Sequence, residues 1–197
     1  MSALLMRAML DIYIDFKSPA AYLALQPTRA LLQEENITAR WHPFRVRERD
    51  VPQIAEHETV GDTHRRVRAA SRRKIFLHYA AVQGIEMNFP AERRPTDLAL
   101  GALALIDGPQ LPFIEACFVA YWRDNADLDD EAVVAELIAR SGVTLNGDLS
   151  QARAALEAAL DAAEETGAVD VPGYLVKEQM FVGREHLPWV RQLLPAQ

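Results

Sequence analysis

A strand that runs directly into a helix opens the sequence and limits what the chain can fold into. Residues 11–16 read Asp-Ile-Tyr-Ile-Asp-Phe, the alternation of β-branched and aromatic side chains that is typical of a strand. Ser18 and Pro19 suit the N-cap and first position of a helix that runs to about Glu34. Residues 37–44 predict a second strand. Strand–helix–strand units of this kind build parallel sheets.

The middle of the chain is helical in pattern, and the end returns to strands. Five helices are predicted, with no convincing strand between residues 46 and 166: 64–83, 96–105, 111–124, 130–141 and 149–166. Residues 173–177 and 179–182 predict a hairpin, followed by a last helix over 187–194. This βαβ…ββα order predicts an α/β, thioredoxin-like fold with a large all-helical insertion. Residues 8–45 and 167–197 would form the discontinuous thioredoxin-like domain, and 46–166 the insertion domain.

Composition excludes several classes of function. The 197 residues include a single cysteine, Cys117, so a disulfide scaffold, a two-cysteine redox centre and a cysteine-built zinc site are excluded. The five histidines show no metal-binding spacing, and we expect no metal. A net charge of −7 argues against nucleic-acid binding. Met1–Leu10 lacks a secretory signal and no apolar run is long enough to span a membrane, which predicts a cytoplasmic protein with no membrane partner.

The charge is unevenly distributed. Residues 40–74 carry 10 Lys/Arg against 5 Asp/Glu. Within this segment Arg65, Arg68 and Arg72 have the spacing of one helix face. Because the arginine fork suits carboxylates and phosphates, this face could bind an anionic substrate. It could instead pair with the acidic segment 124–170 of the same chain, or be a solvated helix face, which is the more common outcome for a run of charges.

Ser18 is the first candidate for chemistry. In a thioredoxin fold the start of this helix carries the first cysteine of a Cys-x-x-Cys motif, whose thiolate the helix N-terminus stabilises. Here the four positions read Ser18-Pro19-Ala20-Ala21, so disulfide exchange within the chain is impossible. The hydroxyl could bind and activate a thiolate brought by a cofactor, or it could simply cap the helix.

Two segments near the C-terminus are further candidates. In thioredoxin-like folds a proline before this strand is cis and faces the helix N-terminus, so if the fold prediction holds, we expect a cis Pro172 that faces the start of the Ser18 helix, with Val171 offering its backbone to an extended peptide. A simple strand-start proline is the alternative. Arg184, Glu185 and His186 follow Gly183 at a helix start, where backbone N–H groups and a carboxylate could hold an α-amino acid end. A charged surface turn is the alternative here.

Several motifs together resemble one known family. They are Asp15-Phe16-Lys17-Ser18-Pro19, Tyr22-Leu23, Ala120-Tyr121-Trp122, Val171-Pro172 and Phe181-Val182-Gly183. The chain resembles the 2-hydroxychromene-2-carboxylate isomerases, relatives of kappa-class glutathione transferases in the DsbA-like thioredoxin superfamily. The resemblance implies reduced glutathione as cofactor, with Ser18 holding its sulfur and Val171, beside a cis Pro172, pairing with its cysteinyl backbone. Arg184, Glu185 and His186 would bind its γ-glutamyl end.

The resemblance also implies an activity. It is a cis/trans isomerisation of a small anionic aromatic catabolite through reversible thiolate addition, with Lys17, Tyr22, Arg68 and Arg73 as substrate contacts and a possible homodimer as the assembly. Where relatives carry Gly before the Val-Pro pair, this chain has Asp170, which places a negative charge beside the expected site. The alternatives are a kappa-type glutathione transferase or peroxidase, and a catalytically silent thioredoxin-like binding protein.

Overall fold

The computed structural model describes residues 9–47, 51–52, 54, 59–91 and 94–195. They contain six strands and seven α-helices. The strands are β1 (Met9–Ile14), β2 (Thr38–Pro43), β3 (Ile106–Asp107), β4 (Thr144–Leu145), β5 (Gly173–Val176) and β6 (Gln179–Val182). The helices are α1 (Pro19–Glu34), α2 (Val60–Gln83), α3 (Asp97–Leu105), α4 (Leu111–Trp122), α5 (Glu131–Ser141), α6 (Ala152–Glu165) and α7 (Leu187–Leu193).

A four-stranded sheet in the order β2-β1-β5-β6 forms the framework. β1 runs parallel to β2 and antiparallel to β5, and β5 runs antiparallel to β6. The β5–β6 hairpin turns at Lys177 and Glu178, with φ angles of 46° and 64°, the left-handed pair that matches the twist of a two-residue hairpin. The order βαβ…ββα and the thioredoxin-like fold with its helical insertion are therefore confirmed.

α1 is held against this sheet by a buried polar contact as well as by its apolar face. The hydroxyls of Thr28 on α1 and Tyr174 on β5 are 2.8 Å apart and buried. Burial raises the pKa of the Tyr174 hydroxyl, so it stays protonated. Since both partners are satisfied, the bond fixes where α1, and with it Ser18, sits on the sheet.

The insertion is helical except for one short ladder. Ile106 and Asp107 pair antiparallel with Leu145 and Thr144, where the sequence predicts no strand. Strands of two residues are too short to show the alternation on which the prediction depends. The ladder joins the end of α3 to the loop after α5, and Asn146 N–H continues it by donating to the Leu105 carbonyl at 2.6 Å.

The chain divides into two compact units. One consists of Met1–Val46 with Asn88–Gln197, and the other is Arg47–Met87. The helices from α3 onward thus belong to the same unit as the sheet. That residues 46–166 form a separate insertion domain stays a prediction.

The second unit contains α2, which begins earlier than predicted. Its start at Val60 rather than His64 follows from a capping box. The Asp62 N–H donates to the Thr59 hydroxyl at 3.1 Å, and the Asp62 carboxylate accepts the Thr59 N–H at 3.2 Å. Gly84, at φ 64°, ends the helix as predicted.

Some expectations fall outside the described residues. The absence of a secretory signal concerns residues 1–8, and part of the basic segment lies at 48–50, 53 and 55–58. Across the described ranges, no helix is long and apolar enough to cross a membrane. The same ranges contain no group of three or more His, Cys, Asp or Glu that could hold a metal ion.

Candidate functional site at one edge of the sheet

Sheet topology brings the predicted site segments to one edge. β1 and β6 end at the edge where β5 begins, because Tyr13, Gly173 and Val182 pair side by side across the three strands. Ser18 follows β1, Val171-Pro172 precedes β5, and Gly183 follows β6. The Gly183 N–H donates to the Pro172 carbonyl at 2.8 Å, which joins two of the three segments directly.

Ser18 occupies the N-cap of α1, as predicted. Its Oγ accepts the Ala21 N–H at 3.3 Å, and its own N–H donates to the Asp15 carbonyl at 3.0 Å. The residue is 8% exposed. Because Oγ is the acceptor in the cap, the hydroxyl proton remains available to donate to an anion at the positive end of the helix.

A buried carboxylate organises the turn before Ser18. Asp15 is fully buried and accepts hydrogen bonds from the Lys17 N–H at 3.1 Å, the Val46 N–H at 2.9 Å and the Thr96 hydroxyl at 2.8 Å. The Lys17 ammonium lies 3.9 Å from it. Burial raises the pKa of the Asp15 carboxyl, and the charge of Lys17 and the three hydrogen bonds oppose that rise without cancelling it.

Thr96 stands at the N-cap of α3 but makes no side-chain cap bond. Its hydroxyl donates to Asp15, and the Asp129 carboxylate accepts the Leu98 N–H in the first turn of α3 at 2.9 Å. In the sequence, Asp15 stands out only as part of the Asp15–Pro19 motif. Its position between the apolar residues Ile14 and Phe16 is the feature that indicates a buried charge.

Tyr22 lies one turn into α1 within an aromatic stack. Its ring is nearly parallel to those of Phe118, at 5.4 Å, and Trp122, at 6.3 Å. Trp122 donates its indole N–H to the Phe16 carbonyl at 2.8 Å. Tyr22 is thus buried in the core below the site, and its contact with a substrate stays a prediction.

The segment after Gly183 forms one turn of 3-10 helix, Arg184–His186. His186 directs Nδ1 to the Val182 carbonyl at 2.7 Å, and the Glu185 side chain is exposed. Gly183 has φ 98°, and a Cβ there would meet the Glu185 carboxylate, so the turn requires glycine. Ligand contacts of Arg184, Glu185 and His186 remain predictions.

The Val171–Pro172 bond is cis, as predicted. The Val171 N–H donates to the Asp170 carboxylate at 2.8 Å, so the side chain of the preceding residue already occupies this backbone donor. The predicted substrate contacts Arg68 and Arg73 lie on α2, in the other compact unit.

Cys117 takes no part in this edge. It lies on α4, is fully buried, and burial raises the pKa of its thiol well above the usual range. Its neighbours on the helix, Tyr121 and Trp122, are also buried. These residues belong to the core.

Comparison with known proteins shows the family of this chain. The DsbA-like thioredoxin domain matches residues 9–194. The chain therefore belongs to the DsbA-like thioredoxin domain family.

Among solved structures, it is similar to 2-hydroxychromene-2-carboxylate isomerase. The TM-score is 0.70 at 20% identity, over 94% of this chain and 93% of that one. A probable DsbA oxidoreductase from Streptomyces coelicolor matches with a TM-score of 0.64 at 16% identity, over 93% of this chain and 87% of that one. The cytosolic disulfide reductase DsbM from Pseudomonas aeruginosa, solved with glutathione, matches with a TM-score of 0.56 at 18% identity, over 89% of each chain. These likenesses concern the fold. No curated protein matches the sequence significantly.

Proposed function

We propose that this protein is a glutathione-dependent cis/trans isomerase that acts on a small anionic unsaturated substrate of the 2-hydroxychromene-2-carboxylate type. One observation carries the proposal: a buried serine hydroxyl caps α1 where a dithiol thioredoxin carries its nucleophilic cysteine. Since the chain's single cysteine is buried elsewhere, a thiol at this position must come from outside. The structural likeness to an isomerase and to a protein solved with glutathione agrees with this.

The residues at the sheet edge suit a thiolate ligand. The Ser18 hydroxyl can donate to a sulfur anion, and the N-terminus of α1 favours its negative charge. When bound, glutathione would supply a nucleophilic thiolate that adds reversibly to an electron-poor double bond. Ser18 would hold the sulfur as an anion by favouring the charged form, which lowers the pKa of the thiol.

The rest of the edge would bind the other parts of the ligand. The Gly183 turn presents an exposed Glu185 carboxylate that could hold the ammonium group of the γ-glutamyl end, with Arg184 and His186 beside it. Val171 and Pro172 border the position of the cysteinyl backbone. These assignments are the ones that the resemblance implies, and the register of β1, β5 and β6 brings their segments to the same edge.

The substrate's negative end calls for a cation. Lys17 is adjacent to Ser18, and its ammonium group lies beside the buried Asp15. The resemblance assigns Arg68 and Arg73 on α2 as further substrate contacts, and these stay predictions. The homodimer remains a prediction of the resemblance.

A disulfide reductase or oxidase is disfavoured. Such chemistry needs two thiols that alternate between dithiol and disulfide, and the chain has one cysteine, which is buried. A glutathione transferase would use the same Ser18 site. The two activities differ in whether glutathione is consumed.

Calorimetry and turnover test the proposal. Reduced glutathione should bind the wild type in the millimolar range or tighter, and interconversion of a 2-hydroxychromene-2-carboxylate should require glutathione and return it unconsumed. Absence of binding at millimolar glutathione would contradict both the isomerase and the transferase. Binding with consumption of glutathione would favour the transferase.

A further inference from the structure

Asp170 occupies a backbone donor at the candidate site. Its carboxylate oxygen Oδ1 accepts the Val171 N–H at 2.8 Å. Asp170 is exposed while Val171 is buried. The N–H group of a buried residue is thus paired with the side chain of an exposed one.

The sheet register shows why this N–H group matters. β1 and β5 pair Asp11 with Leu175 and Tyr13 with Gly173. Val171 comes two residues before Gly173, and Asp15, whose carbonyl accepts the Ser18 N–H, comes two residues after Tyr13. Val171 and the turn that carries Ser18 therefore adjoin the same end of the ladder, beyond its last bonded pair.

The chain leaves few other partners for a ligand's backbone here. The Pro172 nitrogen carries no hydrogen, and the Pro172 carbonyl already accepts the Gly183 N–H at 2.8 Å. Gly173 pairs within the sheet. The Val171 N–H is therefore the donor of this segment that a ligand carbonyl can reach by displacing one side chain.

We propose that Asp170 is a specificity-determining residue that competes with the main-chain carbonyl of a thiol peptide for the Val171 N–H. The inference rests on the proposed binding of glutathione at this edge. Displacing the carboxylate breaks a charge-assisted hydrogen bond, a cost that only a ligand with a carbonyl for the Val171 N–H incurs. Asp170 consequently weakens the binding of thiol peptides, and leaves small thiols that lack a peptide carbonyl unaffected.

Calorimetric titration with two probes tests this. The probes are reduced glutathione and 2-mercaptoethanol, which has a thiol but no carbonyl. Asp170→Ala should bind glutathione about tenfold more tightly than the wild type, corresponding to roughly 1.4 kcal/mol, with unchanged binding of 2-mercaptoethanol. Asp161→Ala, which removes an exposed carboxylate from α6, should leave both affinities unchanged.

Asp170→Asn separates the hydrogen bond from the charge. Its amide oxygen can still accept the Val171 N–H, so its affinity for glutathione should lie between those of the wild type and Asp170→Ala. Equal affinities for the Asn and Ala variants would overturn the competition, because charge alone would then explain the effect. Circular dichroism of each variant checks that the fold is retained.

The outcomes also separate the two proposals. If the wild type binds glutathione and Asp170→Ala binds it no more tightly, the role of Asp170 is wrong and the proposed function stands. If neither the wild type nor any variant binds glutathione, the proposed function fails and the role of Asp170 fails with it.

Discussion

Single side chains join the site to segments distant in sequence. Asp15 connects the end of β1 to residue Val46 after β2 and to Thr96 before α3. Trp122 connects α4 to the Phe16 carbonyl, two residues before Ser18. The position of Ser18 thus depends on two buried side chains, Asp15 and Trp122, and substitutions at either should have effects beyond stability.

The raised pKa of Asp15 predicts that the stability of the folded chain depends on pH. Burial raises the pKa of its carboxyl in the folded state, so ionisation costs more in the folded than in the unfolded chain. Its favourable contribution is fully present below the unfolded pKa and is lost as the pH rises through the folded pKa. The free energy of unfolding of wild type minus that of Asp15→Asn should therefore fall as the pH rises from about 4 upward.

Urea denaturation of the two proteins across this range measures the difference. Asn keeps one acceptor oxygen for Thr96 and Lys17 but loses the acceptor for the Val46 N–H, which adds a destabilisation that does not depend on pH. A difference that grows in favour of the wild type with rising pH would show that the pKa is lowered.

Trp122→Phe isolates the bond to the Phe16 carbonyl. Phenylalanine keeps an aromatic ring in the stack but leaves this buried carbonyl without the indole donor. We expect a loss of about 1–3 kcal/mol in the free energy of unfolding, together with weaker glutathione binding. Trp189→Phe is the matched control: Trp189 is 59% exposed and should change neither quantity. Equal stability of Trp122→Phe and wild type would contradict the role of the bond.

The helices α3 and α6 pack closely against each other. Gly101 on α3 faces Ala152, the first residue of α6, and a Cβ at position 101 would overlap the Ala152 carbonyl. The sequence predicts both helices but not this approach, because a glycine inside a helix gives no indication of which backbone it contacts. Such information is tertiary and appears only when the fold is known.

Gly101→Ala should destabilise the protein by about 1–3 kcal/mol through overpacking. Gly61→Ala on α2 is the control, since its Cβ would lie 3.6 Å from the Thr59 hydroxyl, an ordinary contact. There the higher helix propensity of alanine should be neutral or stabilising by up to about 1 kcal/mol. Thermal unfolding of both variants gives the comparison, and a Gly101→Ala variant as stable as wild type would contradict the close approach.

At the scale of the whole molecule, chain order was the most predictable property. Local signals such as Ser18-Pro19 and the short gap between the strand patterns 173–177 and 179–182 act within a few residues, so the sequence places most helices and strands correctly. The bonds of Asp15 and Trp122 span many residues, and the Asp170–Val171 contact depends on one rotamer. The sequence therefore indicates candidate site residues but not these interactions.

Cys117 provides a reporter of global unfolding. Its thiol is fully buried on α4, and burial raises its pKa, so both access and thiolate formation are suppressed in the folded chain. A disulfide reagent should react with it only as fast as the molecule unfolds, and stoichiometrically in denaturant. Rapid labelling of the native protein would contradict this burial.

The central claim is that Ser18 stabilises a thiolate at the start of α1. The most direct measurement is a pH titration of the ultraviolet thiolate absorbance of protein-bound glutathione, with Ser18→Ala and Ser18→Thr beside the wild type. In the wild type the thiol pKa should lie well below the ordinary value of about 8.5. It should rise by about one unit or more in Ser18→Ala and be partly restored in Ser18→Thr, which keeps the hydroxyl. The same thiol pKa in wild type and Ser18→Ala would contradict the account.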